Sequence, residues 1–321
     1  MGASPVFERN CGMNGKIEAL INNIEKVIIG KREPITLAVT ALLMEGHVLI
    51  EDVPGVGKTQ LAAALSRSVE GSFNRIQLTP DIMPSDVTGF TMINKDTGEF
   101  EYKKGAAFCN FLLADEINRA SPKAQSSLLE VMEERQVSID GRTYPLPKPF
   151  MVLATQNPVE TYGTYHLPEA QMDRFAMKIS MGYPTPEEEC DVLGRNEYDN
   201  PVHKISSVLT TDDIVELQEQ VKAVKAADNV KGYIVDIVCG TRNNDNIKLG
   251  VSPRGSIALY KAAKAWAFIC GRDFITPEDV RRCAVMVLAH RIMLSPKGKA
   301  SLGSAEAAVG RVIAETKVPV E

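Results

Sequence analysis

Apolar runs at residues 48–50, 111–114 and 150–154 punctuate the N-terminal part of the chain with almost no polar interruption. Such runs suit strands of a parallel sheet covered on both faces. Residues 73–78 read as a further strand, and Phe175, Met177, Ile179 and Met181 alternate with Ala176, Lys178 and Ser180 as a fifth. Between the strands the apolar spacing turns helical: Ile17, Leu20, Ile21, Ile24 and Ile28; Leu37, Ala38, Ala41 and Leu42; Leu61, Leu65 and Val69; Leu128, Leu129 and Met132. Gly30 is expected to end the first of these helices, Pro34 to open the second, and Ser121-Pro122 to open the last. Two hairpins are expected, across the turn at 94–98 and across Asp140-Gly141. From Pro186 onward helical patterns follow one another, with Thr210, Asp212 and Thr276-Pro277 as helix starts.

Strands alternating with helices, followed by helices alone, predict an α/β core with a five-stranded parallel sheet and then an all-helical second domain. The expected boundaries are a loose N-terminal end at 1–15, a nucleotide-binding core at 16–185, and a helical domain with a C-terminal tail at 186–321.

The organising stretch is 48–60, where the first apolar run breaks into Asp52-Val53-Pro54-Gly55-Val56-Gly57-Lys58-Thr59-Gln60. A buried strand, a loop whose amides can turn inward and a helix N-terminus, in this order, make a cradle for phosphate. Lys58 would reach the terminal phosphates and Thr59 would ligate Mg²⁺. The strict pattern G-x-x-x-x-G-K-[ST] wants glycine where Asp52 stands, so the stretch is a near match, and a plain strand-to-helix turn competes with it.

Composition narrows the field. The 321 residues are 44% hydrophobic and 24% charged, which describes an ordinary globular chain of about two domains. No apolar run approaches a membrane span, and the N-terminus lacks a leader-like pattern. Myristoylation fails because Val6 stands where Ser or Thr is required. Six scattered cysteines and four histidines form no zinc or disulfide pattern, so a reducing compartment, the cytoplasm, is expected. A net charge of −5 offers no global attraction to nucleic acid.

Asp115 and Glu116 close the 111–114 strand, where ligands of open α/β sheets bind. Asp115 is the candidate metal-side carboxylate, and Glu116 is placed to polarise an attacking water. Asn157 ends the next strand and could orient that water, or simply serve as a turn residue before Pro158. Arg174 and Arg254 are lone arginines that position alone does not separate from solvated surface cations.

Together these stretches resemble the AAA+ ATPases, and within them the MoxR family. Residues 51–59 resemble its Walker A loop, in which an acidic residue commonly replaces the first glycine. Residues 112–120 resemble Walker B, 154–158 sensor 1, 167–175 the arginine-finger stretch and 251–254 sensor 2. The resemblance spans about residues 17–296, although 160–166 depart from the more acidic or proline-containing run of that family. It implies ATP and Mg²⁺ as cofactors, a helix-2 insert at the first hairpin, and Ile29 and Gly30 near the adenine. It also implies a homo-oligomeric, hexameric ring in which Arg174 completes a neighbour's site, and a chaperone role toward client proteins, often ones with a von Willebrand factor A domain. Whether Arg254 acts within its own subunit or on the next stays open at this level. The rival reading, a nucleic-acid motor, is disfavoured because the hairpin tip carries Lys95 against Asp96 and Glu99. A scaffold that binds ATP without cleaving it is disfavoured by Glu116 and Arg174.

Overall fold

The computed structural model describes residues 12–158, 163–195 and 201–319. Most of the expected N-terminal loose end, and Glu160, Thr161 and Tyr162 of the divergent loop, lie outside these residues.

Helices α1 (Gly15–Glu25) and α2 (Arg32–Leu43) precede β1 (Val48–Glu51), which passes through the glycine loop into α3 (Lys58–Ser68). Next come β2 (Phe73–Gln77), the short α4 (Pro84–Thr88) and a hairpin of β3 (Gly89–Ile93) and β4 (Phe100–Lys104). Then follow β5 (Phe111–Asp115), α5 (Pro122–Glu134), a second hairpin of β6 (Gln136–Ile139) and β7 (Arg142–Pro145), β8 (Met151–Gln156), α6 (Glu169–Met172) and β9 (Met177–Ile179). The remainder is helical: α7 (Pro186–Arg195), α8 (Thr211–Ala223), α9 (Asp228–Arg242), α10 (Pro253–Ile269), α11 (Pro277–Leu288), α12 (Pro296–Leu302) and α13 (Ala305–Glu315).

The five long-range strands form one parallel sheet in the order β2-β5-β8-β1-β9. β5 and β8 are buried along nearly their whole length, as their unbroken apolar runs demand. Parallel pairing gives the sheet two unlike rims. Strand C-termini deliver the glycine loop, Asp115 and Asn157 to one of them, while residues that enter strands lie at the other.

Local differences from the sequence reading have simple causes. α1 ends at Glu25, because the amides of Val27 and Ile28 both fold back onto the Ile24 carbonyl. The apolar period runs on to Ile28 since that side chain stays buried in the turn. Gly30 therefore sits in the α1–α2 turn instead of closing the helix. α2 starts at Arg32, with Pro34 tolerated in a first turn whose amides lack helical partners. β9 spans three residues because it is an edge strand paired only with Val48, Leu49 and Ile50 of β1. The helical domain also holds a short antiparallel ladder, β10 (Ile247–Leu249) with β11 (Met293–Leu294), too brief to leave an alternation signal. The C-terminal tail buries Val309 and Val312 of α13 in the main core. Cys109 and Cys283 are buried thiols whose pKa values desolvation pushes up, which makes them poor nucleophiles.

Candidate active site

The glycine loop leaves β1 with Gly55 at φ +87° and Gly57 at φ +93°, left-handed backbone that allows the chain to curl before α3 begins at Lys58. Lys58 Nζ donates to the Asp52 carbonyl at 2.7 Å, so the lysine arches over the loop it serves.

Asp52, the residue that departs from the strict motif, fastens this loop to the end of the fifth strand. Its Oδ2 accepts from Ser180 Oγ at 2.8 Å, Met181 N at 2.7 Å and Gly182 N at 2.8 Å, while Oδ1 accepts from Val53 N at 3.0 Å. Burial pushes the carboxyl pKa up, but the Gly182, Ser180, Met181 and Val53 donors outweigh it and hold it below the ordinary value. A glycine here would leave those donors without this acceptor.

At the same rim one hydroxyl sets two carboxylates. Thr155 Oγ1 donates to Asp115 Oδ1 and accepts the Glu116 amide at 2.9 Å. Glu116 has left-handed backbone, φ +57° and ψ +52°, which turns it out of the strand line. Its Oε2 accepts from Gln77 Nε2 at 2.9 Å and Arg119 Nη1 at 3.1 Å. Arg75 Nη2 reaches Asp115 Oδ2 at 2.7 Å and Gln77 Oε1 at 3.1 Å. Asn157, one residue beyond β8, is buried here. Thr59, in the first turn of α3, and Asp115 are hard oxygen donors, a small set suited to Mg²⁺, which keeps most of its water.

Beside the loop lies a cleft of about 280 Å³ lined mainly by Val27, Ile28, Ile29, Val56 and Pro184, together with Lys31, Gly55, Gly57 and Gln60. An apolar slot next to a phosphate loop fits a flat base. Gly30 (φ +68°) does not line it; its open face is filled by Glu188, whose Oε1 would stand 1.7 Å from an added Cβ. Pro54 is exposed at the tip of the loop.

The two arginines lie elsewhere. Ala176 N bonds the carbonyl of His47, the residue that enters β1, so Arg174 belongs to the opposite rim. Four residues of β1 at about 3.3 Å each put the rims roughly 13 Å apart. There Arg174 Nη2 pairs with Glu133 Oε2 at 3.3 Å, and Arg254 Nη2 pairs with Glu133 Oε1. They border a cavity of about 380 Å³ that includes no residue of the glycine loop.

Residues 47–177 match the family model described as ATPase family associated with various cellular activities (AAA), and 239–311 match an AAA lid domain. The uncharacterized protein YeaC of Bacillus subtilis is 51% identical over 94% of both chains. Chaperone MoxR1 of Mycobacterium tuberculosis is 41% identical over 94% of this chain and 82% of its own. Protein MoxR of Methylorubrum extorquens is 32% identical over 85% and 86%. The chain belongs to the MoxR family of AAA+ ATPases. A solved structure from Cytophaga hutchinsonii, named as a candidate ATPase, superposes with a TM-score of 0.88 at 38% identity over 95% of each chain. Membership makes the chain a nucleotide-binding, ATP-hydrolysing enzyme, with residues 239–311 as its lid.

Several residues at this MoxR-family site escaped the sequence reading. Thr155, Gln77 and Arg119 touch Glu116; Arg119 and Thr155 lie inside the stretches that resemble Walker B and sensor 1 but were given no role of their own, and Gln77 carries no local mark. Asp173 accepts from Arg291 Nε at 2.8 Å and from Ser252 Oγ at 2.7 Å, joining the turn before β9 to two lid segments. The Arg291 side chain is 2% exposed. This buried pair brings Arg254 beside Arg174. Its one sequence signal was the adjacency of Asp173 to Arg174.

Proposed function

We propose that the protein hydrolyses Mg·ATP as a ring in which each subunit's Arg174 and Arg254 complete the site of its neighbour. The supporting observation is the separation of the two rims: the arginines meet at the sheet edge remote from their own phosphate loop, with each other as company. Arg254 is accordingly assigned to the neighbouring site as well.

In this reading the amides of 55–59 and Lys58 hold the phosphates, and the Val27–Ile29 cleft holds the base. Glu116 polarises the attacking water and Asn157 orients it. Thr59 and Asp115 would hold Mg²⁺, which would supply positive charge to the phosphates. The arginines stabilise the charge that spreads over the transferred group, a contribution of about 10³ to 10⁵ in related systems. An isolated subunit is then nearly inactive.

The relative named Chaperone MoxR1 supports a chaperone role. The client we infer is a protein, in keeping with family resemblance one carrying a von Willebrand factor A domain. Charge favours protein over nucleic acid, since the hairpin tip bears Asp96 and Glu99 against Lys95, while Ile93 and Phe100 beside it are exposed apolar side chains.

Mixing tests the shared site. Arg174→Ala and Lys58→Ala proteins, each inactive alone, should recover ATPase activity when combined, because some interfaces then join an intact loop to an intact arginine rim. No recovery at any ratio would remove the shared-site reading.

A further inference from the structure

We infer that Glu133 is the resting counter-ion of the arginine rim, a carboxylate that occupies Arg174 and Arg254 until the terminal phosphate of a neighbouring subunit's ATP displaces it. This rests on the shared-site reading above.

Glu133 stands in the last turn of α5, where the helix dipole disfavours a negative charge. Its position is nonetheless firm. The Met132 carbonyl beside it bonds the ring of His47 at 2.9 Å, and Arg135 caps the helix in left-handed backbone while its guanidinium reaches the Glu45 carbonyl. The carboxylate is thus delivered to a fixed point, and the two arginines from β9's entry and the lid's α10 come to it. Each carboxylate oxygen takes one guanidinium. Two guanidiniums convergent on a pair of oxygens form the arrangement a phosphate would also satisfy.

The other acids of this rim are engaged elsewhere. Asp173 is held by Arg291 and Ser252, and Glu45 by Arg135 and Lys222. Glu133 is therefore the anion that neutralises the two arginines among the described residues. It keeps them convergent, and it also competes with the phosphate they are meant to bind. Because Glu133 and Arg254 are substantially exposed, the pairing is weak enough to exchange.

Only a terminal phosphate reaches the rim, so the effect should separate ATP from ADP. In the Glu116→Gln background, which holds ATP uncleaved, E133Q removes the competing charge while keeping the shape. ATP and ADP affinities are measured by calorimetry at subunit concentrations where light scattering shows the oligomer. E133Q should raise the preference for ATP over ADP by about five-fold, the scale of two half-exposed ion pairs. E133D should behave as the parent, as should E134Q, which makes the same change of charge on the same turn. In an R174A/R254A background E133Q should change nothing. An unchanged preference, or an equal shift without the arginines, would reduce Glu133 to a structural support. If R174A/R254A alone leaves the ATP preference intact, or no oligomer forms, the shared-site reading itself fails, and Glu133 has no phosphate to compete with.

Discussion

Asp52 accepts the backbone amide of Gly182 at 2.8 Å, and through that bond the phosphate loop is held to the segment that leads from the core toward the lid. Changing Asp52 to glycine would restore the strict loop motif yet strip the acceptor from Ser180, Met181 and Gly182. We expect D52G and D52A to lose about 1 to 2 kcal/mol in urea unfolding, a figure reduced for partial exposure of the carboxylate, and to bind ATP more weakly. The depressed pKa of Asp52 means this support is complete above the unfolded carboxyl range and fades in acid as the folded group protonates. Equal stability of D52G and the parent would dismiss the fastening role.

Lys58 and Glu116 should separate binding from chemistry. Lys58→Ala should weaken ATP about 10²-fold by calorimetry, the loss of a charge-assisted contact. Glu116→Gln should bind as the parent does and turn over about 10² to 10⁴ times more slowly. Parent-like turnover in the glutamine variant would take Glu116 out of its assigned place.

The two carboxylates flanking the arginine rim should differ sharply in stability. Asp173→Ala leaves the guanidinium of Arg291 buried without its counter-charge, at a cost of about 3 kcal/mol or more. Glu133→Ala removes exposed pairs and should cost under about 1 kcal/mol. Denaturant midpoints of the two variants, measured side by side, check the contrast.

Buried histidines set an acid limit. His47 accepts the Val152 amide on Nδ1 and bonds the Met132 carbonyl through Nε2, which fixes the neutral ring. Desolvation lowers its pKa from 6.5 to about 4, with Arg135 adding to the shift and the Met132 bond opposing it. His290 is lowered in the same direction by its burial and by Arg291. The unfolded chain therefore binds more protons than the folded one below about pH 6.5. Stability is complete above that pH and falls as pH drops toward 4, by about 3 kcal/mol for His47. Melting curves between pH 7 and 4 should show the decline, and His47→Gln should flatten part of it.

Legibility in the sequence followed the range of the interactions. β5 and β8 were readable because a strand buried on both faces is apolar residue after residue, and the glycine loop because its parts adjoin in the chain. Asp115 and Glu116 were readable from their place at a strand end. The partners of Glu116 were not, since neighbouring strands bring Gln77 and Thr155 to it, and the sensor 1 pattern around Thr155 does not report that contact. Glu133 was invisible for the same reason: α5 shows an ordinary charged face, and only the packing of β9's entry and the lid directs two arginines onto it. The length of β9 was misjudged because side-chain alternation does not report how far a partner strand extends, and the β10–β11 ladder was missed because it is too brief to alternate.

The unlike rims of the parallel sheet give each subunit a head and a tail. On the proposed reading each copy offers its arginine rim to one neighbour and its phosphate loop to another. Every productive contact runs head to tail, so an open row of copies always ends in one unused arginine rim and one unaided nucleotide. Closure of the row is what removes both loose ends, and a single defective copy within it impairs two sites: the one it holds and the one it was to assist.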